Sequence, residues 1–195
     1  MVREGSGGDL RPASGSIVRT QDVAPSAWRN GAGTTREIAA CRAAGSAADF
    51  DWRISVADLR HDASFSRFPG IDRTFLLASG AGVVLEIAGT AVALEEWQAT
   101  AFPGEDEVSV ALPRGPATAV NLMTARSHTG TMSVLPVDGA HPLTPATVAV
   151  LVLEGGARTP RGRVLRPMDF LLRGAGPEIL HFTDAVAVFV DIRGR

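Results

Sequence analysis

Residues 28–39 read WRNGAGTTREIA, a loop that gathers an indole, an amide, two hydroxyls and an arginine–glutamate pair around two glycines. Two more polar clusters follow, FDWRIS at residues 50–55 and FSRFPGIDR at residues 65–73, and Asn121 interrupts the apolar run AVNLMTAR. The chain contains no lysine and no tyrosine, which removes Schiff-base chemistry, lysine-linked pyridoxal phosphate and a tyrosine acid or base. Each fixed cation is therefore an arginine, whose planar fork matches a carboxylate. A GC-rich genome produces the same bias, so position matters more than count. Alternation in FDWRIS puts Trp52, Ile54 and Val56 on one strand face and Arg53 and Ser55 on the other. An amide or guanidinium buried in such a strand needs a partner, because burying it unpaired costs several kcal/mol. Singly, each polar residue reads as an ion pair or a turn cap. Together they point to a pocket that holds a small anion.

The histidines, His61, His128, His141 and His181, stand far apart, and no two share a strand face at metal-ligand spacing. PRGPATAVN, residues 113–121, is similar to the second metal-binding stretch of cupins, yet Thr118 occupies the ligand position. No metal and no other cofactor is expected. The serine of RTFLLASGAG lacks the strand, elbow and helix of a hydrolase nucleophile. The GAG of the opening loop is too short for a dinucleotide or phosphate loop. The single cysteine, Cys41, excludes an intrachain disulfide and reads as an inert, partly buried thiol.

Positioning these groups falls to strands. SIVRT, TTREIAAC, DWRISVAD, RTFLLAS, GVVLEIA, TAVALEE, EVSVALP and ATAVNLMTA are short, rich in branched residues and separated by Gly, Pro, Asp or Asn. A connection through Asp138 to Thr144 leads to ATVAVLVLE, RVLRPMDFLLR, EILHF and AVAVFVDIR. A single helical turn is expected near Ala57 to His61, and no longer helix. The order FLLASGAGVVLEIAG, LEEWQATAFPGEDEVSVAL, ATAVNLMTAR is repeated by VAVLVLEGGARTPRG, RVLRPMDFLLRGAGPEIL, AVAVFVDIRG. A repeated jelly-roll hairpin predicts an all-β fold of two small barrels packed together. The expected organisation is a disordered tail over residues 1–15, a first barrel with the pocket over 16–130, and a second, smaller barrel over 131–195.

At 195 residues and 45% hydrophobic composition the chain can bury a real core without staples. No stretch reaches the ~18 to 20 apolar residues of a membrane span, and MVREGSGGDLRPAS has no apolar export region. The formal charge of −2 lacks the basic footprint of a nucleic-acid binder. A cytoplasmic protein with a small-molecule partner, and with neither nucleic acid nor membrane as a partner, is expected.

WRNGAGTTREIA, DFDWRISVADLRHDASFSRFPGIDR, the FPGE of residues 102–105 and VNLMTAR resemble, in order and spacing, the signature blocks of the HutD/Ves family. The resemblance runs through about residues 16 to 130. It implies a bicupin without the usual metal histidines, and a link to histidine utilisation through a bound intermediate such as formylglutamate. Carried over residue by residue, the family's shared polar positions fall on Trp28, Asn30, Arg36, Glu37, Arg53, Ser55, Ser66, Asp72, Arg73, Glu105 and Asn121. Three roles remain open at this point. The first is a non-catalytic binder of a carboxylated metabolite. The second is a metal-free isomerase or lyase with Glu37 or Glu105 as base. The third is an interaction protein, with a homodimer interface on a barrel edge.

Overall fold

The computed structural model describes residues 15–28, 30–42, 49–174, 176 and 178–194, so most of the expected N-terminal tail, residues 1–14, lies outside the described residues. Sixteen strands follow one another: Ser16–Arg19 (β1), Ser26–Ala27 (β2), Gly33–Cys41 (β3), Trp52–Leu59 (β4), Ala63–Ser64 (β5), Ile71–Ser79 (β6), Val83–Ile87 (β7), Thr90–Leu94 (β8), Ala99–Pro103 (β9), Val108–Ala111 (β10), Ala117–Ala125 (β11), His128–Pro142 (β12), Thr147–Arg158 (β13), Val164–Leu165 (β14), Asp169–Leu172 (β15) and Ile179–Gly194 (β16). A 3₁₀ turn at Thr20–Asp22 is the only helical element among the described residues.

Three antiparallel sheets form. A middle sheet runs β2-β3-β4-β11-β6-β9, a four-stranded sheet runs β5-β10-β7-β8, and a third runs β1-β15-β13-β16-β12 with β14 on β13. Because side chains alternate across a strand, the middle sheet buries both faces. Ala57, Leu59, Phe75, Leu77 and Ala119 pack against Val83, Leu85, Val108 and Val110 of the four-stranded sheet. On the reverse face Ile54, Val56, Leu76, Val120 and Leu122 meet Ala149, Leu151, Phe170, Val188 and Val190 of the third sheet. The outer face of that third sheet carries a further cluster of Val150, Val152, Leu171, Leu180, Phe182 and Phe189.

The expected repeat is visible at the level of single hydrogen bonds. Trp97 and Met168 share φ 66°, an uncommon conformation for non-glycine residues. Trp97 N–H donates to Leu77 O at 2.7 Å and Met168 N–H to Val152 O at 2.8 Å. Glu95 N–H is capped by Gln98 Oε1 and Arg166 N–H by Asp169 Oδ2, both at 3.0 Å. LEEWQA and LRPMDF therefore make the same turn, and each feeds a strand onto the equivalent neighbour, β9 onto β6 and β15 onto β13.

Five local expectations are corrected. Ala57 to Leu59 is strand, not helical turn, because Ala57 pairs with Ala119 and Leu59 with Ala117 and both are buried. Asp138 does not end a strand; the register shift between Val137 and Gly139 is a bulge through which β12 continues to Pro142. EILHF and AVAVFVDIR are one strand, β16, whereas RVLRPMDFLLR is split into β14 and β15 by the Met168 turn. β1 pairs with β15, so the first strand of the chain completes the sheet of the C-terminal half.

Candidate functional site

Strand register builds the site row by row on the face of the middle sheet turned toward the four-stranded sheet. In the first row Arg53 of β4 lies opposite Met123 of β11, Met123 opposite Arg73 of β6, and Arg73 opposite Phe102 of β9. Two residues along each strand, Glu37, Ser55, Asn121 and Phe75 form the second row. Thr35, Ala57, Ala119 and Leu77 form the third, and Gly33, Leu59 and Ala117 the fourth. Above these rows opens a cavity of about 530 Å³, covered by Trp28 and Asn30 from the opening loop and by Phe65, Ser66 and Phe68 from the Pro-Gly turn.

Arg73 is 7% exposed and Asn121 8%. Arg73 donates through Nη1 to Ser66 O at 3.3 Å and through Nη2 to Asn121 Oδ1 at 3.4 Å, both at the long limit of a hydrogen bond. Its guanidinium carbon lies 5.0 Å from the centre of the Phe65 ring, 5.1 Å from Phe102 and 5.8 Å from Phe68. Arg53 donates to Met123 Sδ at 3.0 Å and lies over Phe50 at 5.0 Å and Phe68 at 5.6 Å. The Nε of each arginine is buried and makes no hydrogen bond. Among the described residues no carboxylate forms an ion pair with either arginine.

Burial, and then the neighbouring charge of Arg53, pushes Arg73 down to about 10. Burial also lowers Arg53, while Glu37 acts in the opposite sense. Aromatic faces hold both cations in place but do not neutralise them. The first row thus holds two forks without an ion pair among the described residues, Arg73 buried and Arg53 half-buried, suited to an anion.

Of the residues singled out in the sequence, Trp28, Asn30, Arg53, Ser55, Ser66, Arg73 and Asn121 line the cavity. The other four lie outside that lining. Arg36 pairs with Asp58, which also accepts from Thr34 Oγ1 at 3.2 Å. Asp72 and Glu105 both hold Arg126, at 3.1 Å and 2.6 Å, and the hydrogen bond from Arg126 lowers the Glu105 carboxyl. Glu37 is exposed beside Ser55. Sequence reasoning did not place Thr35, Phe75 and Met123 in the lining, although Phe75 is two residues beyond Arg73 and Met123 two beyond Asn121. The same alternation that aims the arginine and the amide inward aims these too.

Of the two glycines of the opening block, Gly31 takes a left-handed φ of 69° with open space around it, and Gly33 has a packing role. A Cβ on Gly33 would run into the Asp58 carbonyl oxygen and meet the Trp28 ring at 3.4 Å. The indole of Trp28 donates to Thr35 Oγ1 at 2.7 Å and meets the edge of Phe65 at 6.3 Å.

A family model described as HutD matches residues 20–179. The chain belongs to the HutD/Ves family. Protein Ves of Citrobacter koseri is 39% identical over 101 residues, 51% of this chain and 52% of that protein. The chain spans about half the length of the curated relatives it matches. The structure of HutD from Pseudomonas fluorescens SBW25 is 31% identical, with a TM-score of 0.74 over 92% of this chain and 98% of that one. A cupin 2 conserved barrel domain protein from Leptotrichia buccalis, 9% identical, shares the fold with a TM-score of 0.64 over 96% and 100% of the two chains. This HutD/Ves chain thus has an all-β, cupin-like fold. Among its described residues no group of three or more His, Cys, Asp or Glu side chains is placed to hold a metal ion. None of its described helices is long and apolar enough to cross a membrane.

Proposed function

We propose that this HutD/Ves chain is a cytoplasmic, non-catalytic bicupin that binds a carboxylated metabolite in the cavity of its first jelly-roll unit and so tempers histidine utilisation. In this proposal residues 16–130 supply the ligand unit, and residues 131–195, with β1 added to their sheet, the supporting unit. One observation carries the reading: the buried Arg73 guanidinium and the half-buried Arg53 guanidinium flank Met123 at one end of a cavity, and among the described residues no protein carboxylate forms an ion pair with either. A buried charge held without a counter-ion is costly, and a ligand carboxylate returns that cost through short, charge-assisted hydrogen bonds. The enzyme reading gains less support, because Glu105 is tied to Arg126 and Glu37 lies outside the cavity lining.

A thermal-shift screen against urocanate, formylglutamate, glutamate and neutral sugars tests the proposal. Carboxylates should raise the melting temperature in proportion to RT ln(1 + [L]/Kd), whereas sugars should not. Arg53→Lys keeps the charge but loses the fork, so affinity for the binding carboxylate should fall by ~1.5 to 3 kcal/mol, the scale of a charged hydrogen bond, with the fold intact. A screen in which no carboxylate stabilises the protein, or a lysine variant that binds like the parent, would overturn it.

A further inference from the structure

Among the described residues charge is confined to one end of the cavity, and that asymmetry says more about the ligand than the arginines do alone. Among the described residues Arg53 and Arg73 are the only ionisable side chains in the lining, and both belong to the first row, flanking Met123. The second row offers neutral hydrogen-bonding groups, Ser55 and Asn121, with Phe75 beside them. Beyond it the lining carries Ala57, Leu59 and Trp28 together with the neutral polar groups of Asn30, Ser64 and Thr35, the last already engaged by the Trp28 indole. Phe65 spans the two ends, stacked on Phe75 with centroids 6.0 Å apart and presenting its face to Arg73. Three successive rows of a strand cover roughly 13 Å, room for a ligand body as well as its head.

We infer that the ligand has a single anionic head, shared by Arg53 and Arg73, and a neutral body of flat or apolar character directed toward Trp28 and Leu59. This inference rests on the carboxylate-binding reading of the same cavity and narrows its substrate class from carboxylates to monocarboxylates with an aromatic or apolar body. A carboxylate at each end would leave the far one beside Ala57, Leu59 and Trp28 with no cation among the described residues to meet it. Both carboxylates crowded into the first row would leave the apolar rows unfilled.

Titration calorimetry with propanoate, 3-phenylpropanoate and glutarate tests this, since the three share a carboxylate and differ in the group at the far end of the carbon chain. The expected order puts 3-phenylpropanoate at least about tenfold tighter than propanoate, as burial of a phenyl ring requires, and at least about tenfold tighter than glutarate, as burial of an unpaired second charge requires. Trp28→Ala should weaken 3-phenylpropanoate severalfold more than it weakens propanoate, which locates the body at the far end. Glutarate binding as tightly as 3-phenylpropanoate, or a Trp28→Ala variant that weakens both monocarboxylates alike, would overturn the single-headed ligand while leaving carboxylate binding intact. Failure of all three to bind would overturn the carboxylate reading itself, and this inference with it.

Discussion

Replacing Arg73 with methionine is expected to abolish carboxylate binding and to raise the melting temperature by about 2 to 4 °C, the equivalent of about 1 kcal/mol in a chain of this size. Arg73 is 7% exposed, has two long hydrogen bonds and no ion pair among the described residues. Methionine retains most of the volume and places a polarisable sulfur among Phe65, Phe68 and Phe102, which now surround the guanidinium. Swapping a buried charge for a packed apolar side chain is often neutral or stabilising by about 1 to 4 kcal/mol. Part of that gain is offset by Asn121 Oδ1, which loses its donor. The sign comes from linkage. Arg73 titrates at about 10 in the folded protein, below its ordinary value, so the cost of burying its charge is fully present at every pH below about 10 and fades as pH rises beyond that point. Circular-dichroism melts at neutral pH and calorimetry with a carboxylate measure the two effects. A variant that melts several degrees lower would show that Arg73 is structural.

The second large effect is expected at Gly104, in the FPGE block, which is assigned no contact with the ligand. Its N–H donates to Ile71 O at 2.6 Å and its carbonyl accepts from Phe68 N–H at 2.7 Å, which closes the Pro-Gly turn against β9. A Cβ added there would lie 2.5 Å from Phe68 O and 2.7 Å from Ile71 O, inside contact distance of two backbone atoms that cannot rotate away. Gly104→Ala should therefore cost about 2 to 3 kcal/mol, the upper range of overpacking. It should also displace Phe68, the ring that both arginines share. Carboxylate affinity should fall at least about tenfold, because a misplaced supporting ring lets the forks drift from their productive geometry. Urea unfolding and calorimetry on the same preparation report both numbers; unchanged stability would refute the packing role assigned to this block.

The sequence was most legible where a local period decided the outcome. Short branched runs cut by Gly, Pro, Asp or Asn assigned the all-β class, and alternation put Ile54 on one face of β4, now buried between the sheets, and Arg53 and Ser55 on the other, which lines the cavity. It failed where pairing across the chain decided. Asp72 and Glu105 read as site residues, yet both are held by Arg126 across 54 and 21 residues of sequence. Arg36 pairs with Asp58 across 22 residues. The membership of β1 in the C-terminal sheet was equally hidden, since four residues of SIVR carry no mark of their partner. Turn chemistry misled in both directions. Asp138 to Thr144 reads as a connection, yet β12 continues through a bulge at Asp138 to Pro142, whereas Arg166-Pro167-Met168 sits inside an apolar run and is a true turn.

The claim that two unneutralised forks at one end of the cavity hold a carboxylate is tested most directly by a crystal structure of the protein grown with saturating 3-phenylpropanoate. Carboxylate oxygens are expected about 2.7 to 2.9 Å from nitrogens of both Arg53 and Arg73, the spacing of charge-assisted hydrogen bonds, with the ring lying toward Trp28. A structure in which Glu37 closes onto Arg53, or in which the carboxylate binds elsewhere on the surface, would contradict it.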